Sequence, residues 1–110
     1  MKIKKTALLF AAVCSLVAGS ALAQDSGTLK KIKDTGVIAL GHRESSIPFS
    51  YYDDKQQVVG YARDVQMAIV DAVKKKLSLP NLQVKDIPVT SQNRIPLVQN
   101  GTVDIECGST

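Results

Sequence analysis

Thr90-Ser91-Gln92-Asn93-Arg94 lies between an extended stretch, Gln83 to Val89, and a short helical one, Ile95 to Gln99. Its chemistry is that of anion binding. Backbone N–H groups at a helix start have no intrahelical partner and sit at the positive end of the helix dipole. An anion set against Ser91 and Arg94 would therefore meet donors already oriented toward it. Arg94 adds a planar, permanently charged fork suited to carboxylate or phosphate. Taken alone, the segment also reads as Thr90 or Ser91 capping the helix beside a solvated arginine. Two further clusters of the same kind shift that balance: Arg43 with Ser45 and Ser46, and Gly108-Ser109-Thr110.

Other chemistries lack their residues. His42 is the single histidine, and Cys107 is the single cysteine outside the N-terminal apolar run, so no metal-ligand cluster is expected. Ser45, Ser91 and Ser109 stand without a G-x-S-x-G elbow or a second histidine that could serve as base. Gly41 and Gly60 are isolated and form no phosphate loop. Asp53-Asp54 falls in a turn, and Asp104 alternates with Glu106 along a strand; neither pair suggests an acid/base couple. The sequence thus predicts no catalytic residue, no metal and no cofactor.

The elements that must position the donors follow from periodicity. Thr28 is a plausible N-cap for a helix over Leu29 to Lys33, which Asp34-Thr35-Gly36 ends. Val37 to Leu40 is a short apolar run without alternation, as in a parallel strand covered on both faces. Phe49 to Tyr52 and Gln57 to Gly60 flank a polar turn and read as a hairpin. Tyr61 to Leu77 carries Val65, Ala68, Ile69, Ala72, Val73 and Leu77 at helical spacing. Gln83 to Val89 and Val103 to Glu106 complete the extended segments. The order β, hairpin, α, β, α, β predicts an α/β fold with a mostly parallel sheet. In such sheets ligands bind outside the carboxyl ends of the strands, where all three polar clusters fall.

With 110 residues the chain could hold one domain, but its first 23 are not counted in it. Lys2, Lys4 and Lys5, the apolar run Ala7 to Val17 and the small-residue site Ala21-Leu22-Ala23 read as a cleavable export signal. Val13 before Cys14 argues against a lipoprotein anchor. Removing the signal takes the 14 basic residues to 11 against 10 acidic ones, and the net charge from +4 to +1. That excludes the charge excess a nucleic-acid or membrane-surface binder needs. Lys74-Lys75-Lys76 ends a predicted helix and reads as a solvated, dipole-complementing turn. In an oxidising compartment Cys107 is either a small buried residue or half of a disulfide whose mate lies beyond Thr110, with the second favoured. The remaining 87 residues, with three principal strands, read as the start of a longer domain.

At these residues the chain resembles the bacterial extracellular solute-binding proteins of family 3, the periplasmic amino-acid receptors of ABC importers, and within them the glutamate/aspartate-binding branch. The resemblance runs the whole length. It is most specific over Gly41 to Asp53, Thr90 to Leu97 and Glu106 to Thr110. The general family signature falls on Gly60-Tyr61-Ala62-Arg63-Asp64-Val65 and departs at Ala62, where the wider family has an acid.

The resemblance implies a type II periplasmic-binding-protein fold, of which residues 24–110 would be the N-terminal part of lobe one. It also implies that Arg43, Ser91 and Arg94 contact the ligand's side-chain carboxylate and that Ser109, with Thr110, contacts the α-carboxylate. L-Glutamate or L-aspartate and an inner-membrane permease would be the partners of a monomeric protein. The runner-up reading is an enzyme on the same two-lobed fold, a cyclohexadienyl dehydratase or a transglycosylase with a receptor-like domain. A membrane-kinase sensor comes third, because the cleavage site argues against a retained anchor.

Overall fold

The computed structural model describes residues 27–108. The expected export signal, the lead-in Gln24 to Ser26 and the pair Ser109 and Thr110 lie outside the described residues. In chain order the elements are α1 (Gly27–Thr35), β1 (Val37–His42), β2 (Ser45–Ser46), β3 (Ser50–Tyr52), β4 (Val58–Val59), α2 (Tyr61–Leu77), β5 (Gln83–Pro88), α3 (Arg94–Gln99) and β6 (Ile105–Glu106). The α/β order is the one the periodicity predicts. The first helix includes Thr28, and β2 is an added strand that pairs with the hairpin through Ser45 opposite Tyr51 and Ser46 opposite Ser50.

β1 is the centre of a three-stranded parallel sheet, with β5 on one side and β6 on the other. Five of its six residues are buried, as a strand covered on both faces should be. Ile38 and Leu40 meet Ile32 of α1, Val70 of α2 and Leu82 in one apolar cluster. Gly41 lies on the opposite face, against Val89 and Val103. The strand runs two residues beyond the apolar run, because Gly41 and His42 continue the pairing with Ile87 and Pro88.

α2 differs from the sequence expectation in which face it buries. Ala62, Gln66 and Val70 are buried, with Met67, Val73 and Leu77 packed on the core, whereas Val65, Ala68 and Ala72 are exposed. A polar residue holds an inward position because the amide of Gln66 donates to the carbonyl of Gly41 at 2.7 Å, satisfying a buried acceptor near the end of β1. The helix starts without a side-chain cap. Its first donors instead reach the hairpin: Tyr61 N to Pro48 O at 3.1 Å and Ala62 N to Phe49 O at 2.8 Å. Gly60 makes this junction possible, since its φ is +118° and a Cβ there would run into the Phe49 carbonyl.

Candidate functional site

Because β1, β5 and β6 run parallel, their carboxyl ends open on one edge. Arg43 follows β1. Val89, whose N–H reaches His42 O at 2.8 Å, carries β5 into Thr90 and Ser91, and Cys107 and Gly108 follow β6. Arg43, Ser91 and Gly108 thus leave the sheet on the same rim, and Ser109 and Thr110 lie outside the described residues.

Arg43 is fixed at its backbone. Its N–H donates to Ser50 Oγ at 2.9 Å, and the same hydroxyl donates back to Arg43 O at 3.0 Å. Ser50 and His42 are buried, and His42 packs edge-on against Tyr52 with ring centroids 5.4 Å apart. The guanidinium of Arg43 then reaches across the rim, Nη2 donating to Ser91 Oγ at 3.1 Å. This contact joins the ends of β1 and β5.

The turn before α3 is closed by Thr90 and Asn93. Thr90 N donates to Asn93 Oδ1 at 2.7 Å, and Asn93 N donates to Thr90 Oγ1 at 3.2 Å. Thr90 therefore does the local work that a cap residue would do, and the exposed Ser91 hydroxyl faces Arg43 instead. Arg94, the first residue of α3, turns its Nη1 toward Glu106 Oε2 at 3.4 Å. Their side chains are 18% and 9% exposed, so this is a largely buried ion pair.

Sequence reasoning missed Glu106 and Ser50. Glu106 stands opposite Gly41 in the sheet register, and a Cβ at Gly41 would lie 3.1 Å from its Cγ. On the far side, a Cβ at Gly108 would strike its Oε1. Two glycines thus make the slot that the carboxyl group fills. Oε1 is buried and has no hydrogen-bond partner among the described residues. The neighbouring Cys107 thiol is pushed above its usual pKa, first by burial and then by the charge of Glu106. The available signal was the placement of Glu106 at a strand's carboxyl end, directly before Cys107-Gly108; its alternation with Asp104 disguised it as an ordinary strand residue.

Two open grooves flank the rim. One, of about 400 Å³, lies between the hairpin and the start of α2 and is walled by Phe49, Tyr61 and Val65, with Cys107 and Gly108 at its base. The other, of about 480 Å³, lies between α3 and β6 and is bordered by Arg94 and Glu106. Among the described residues no group of histidine, cysteine or acidic side chains could hold a metal ion. The arrangement can orient guanidinium and hydroxyl donors toward an anion.

Residues 38–110 match the model of the bacterial extracellular solute-binding proteins, family 3. The chain belongs to that family. It is 60% identical, over its whole length, to a glutamate/aspartate import solute-binding protein of Escherichia coli (strain K12) and 61% identical to one of Salmonella typhimurium (strain LT2). It spans 38% of the length of each of these curated relatives. Among solved structures it resembles an ancestral cationic amino acid solute-binding protein, with a TM-score of 0.62 and 26% identity over 76% of this chain and 33% of that one. The fold is that of the type II periplasmic binding proteins, and the three-stranded parallel sheet described above is part of such a domain.

Proposed function

We propose that residues 24–110 are the N-terminal part of lobe one of a two-lobed periplasmic receptor, preceded by an export signal that ends at Ala23. The receptor binds L-glutamate or L-aspartate and delivers it to an inner-membrane ABC permease, working as a monomer without a cofactor and without catalysis. The observation that carries this reading is the likeness, over the whole chain, to two glutamate/aspartate import solute-binding proteins. The rim chemistry agrees with it. A dicarboxylic amino acid needs cationic donors for its side chain beyond those that serve the α-carboxylate, and the rim offers Arg43 and Arg94.

In this reading Arg43, Ser91 and Arg94 hold the side-chain carboxylate, and Ser109 with Thr110 holds the α-carboxylate. Each charge-assisted hydrogen bond contributes about 1.5 to 3 kcal/mol net, so several support micromolar binding after association costs. The test is calorimetry on the full-length receptor. Saturable heat with L-glutamate or L-aspartate is expected, and no heat with either overturns the assignment. N-terminal sequencing of the exported protein should begin at Gln24; a start elsewhere rejects the cleavage site.

A further inference from the structure

Glu106 is an expensive residue to keep at this position. One carboxylate oxygen makes a single long contact with Arg94 at 3.4 Å, and the other is buried with no partner among the described residues. The side chain nevertheless sits in a slot that Gly41 and Gly108 leave open for it, so its placement is built rather than accidental. We propose that Glu106 is a specificity-determining residue, whose buried carboxylate holds the Arg94 guanidinium and sets the rim for an acid group of single negative charge, a carboxylate, over a doubly charged phosphate. This inference rests on the receptor reading above.

The discrimination is electrostatic. Any anion that approaches Arg94 also approaches the charge of Glu106 behind it, and the repulsion scales with the charge the anion brings. A phosphate group carrying close to two charges meets about twice the repulsion that a carboxylate meets. Loosening of Arg94 acts in the opposite sense, because the attraction lost also scales with the anion's charge and the dianion loses more. The direction in which the ratio of the two affinities moves therefore separates the charge of Glu106 from its packing role.

The experiment uses calorimetry on the full-length receptor with L-glutamate and O-phospho-L-serine near pH 7.5, where the phosphate is mostly dianionic because its second pKa is about 6. The wild type should prefer glutamate. Glu106→Gln keeps the shape and removes the charge, and should narrow the preference by about tenfold, the equivalent of 1.4 kcal/mol. Glu106→Asp keeps the charge and should retain a preference close to that of the wild type. If Glu106→Gln gives no folded protein, Glu106→Met supplies the same neutralisation and is read in the same way. A folded neutral variant whose glutamate-to-phosphoserine ratio stays within about threefold of the wild type overturns the proposal. So does a wild type that binds both ligands alike. A wild type that binds no acidic amino acid overturns the receptor reading instead, so the two failures are distinguishable.

Discussion

Asp104 and Glu106 stand two residues apart beside the same strand, and both carry an ion pair, yet their surroundings differ. Asp104 is 3% exposed; Lys31 Nζ lies 2.7 Å from Oδ1, and the backbone N–H of Ala39 reaches Oδ2 at 2.8 Å. Lys31 also donates to Gly101 O, so this one acid ties α1, β1 and the turn before β6 together. Glu106 is 9% exposed, meets Arg94 at 3.4 Å, and leaves an oxygen unpartnered among the described residues. A carboxylate with both oxygens bonded stabilises a fold, whereas a half-satisfied one costs desolvation that a single long ion pair offsets only in part. The difference is one of placement: the satisfied acid joins elements, and the half-satisfied one stands behind a rim arginine.

Substitutions can break or sharpen this contrast. The largest effect is expected at Arg94, where Arg94→Ala should weaken glutamate binding by about 3 to 5 kcal/mol, because it removes a charged donor and strands the Glu106 carboxylate. A loss below about 0.5 kcal/mol in calorimetry would make Arg94 an ordinary surface residue. Next comes Asp104→Ala, which should lower stability by about 2 to 3 kcal/mol in urea unfolding by orphaning the Ala39 N–H. Its folded fraction should keep the glutamate affinity of the wild type, and a matching loss of affinity would merge the two acids into one class. Ser91→Ala should cost about 1 kcal/mol of affinity and leave the unfolding midpoint in place. Smallest is the stability change of Glu106→Gln, within about 1 kcal/mol of the wild type in the same urea experiment. A loss as large as that of Asp104→Ala would show Glu106 to be scaffold after all.

The sheet and its rim were legible in the sequence because they rest on local signals. Val37 to Leu40 is an apolar run bounded by glycine, and Thr90 to Arg94 joins a strand to a helix. Parallel pairing then brings Arg43 and Ser91 to one edge without further information. What escaped depends on partners distant in the chain. Gln66 is inward because a carbonyl 25 residues earlier needs a donor, and no periodicity of α2 encodes that need. The Glu106 side chain is largely buried because Gly41 and Gly108, on separate segments, leave room for it. β2 is too short to carry a pattern and exists through its pairing with β3.

The central claim is that the rim at the strand ends receives the carboxylate of an acidic amino acid. Calorimetric titration of L-glutamate into the full-length receptor, wild type beside Arg94→Ala, tests it most directly. Saturable micromolar or tighter binding is expected in the wild type, and its near loss in the variant. Equal binding by the two proteins would contradict it.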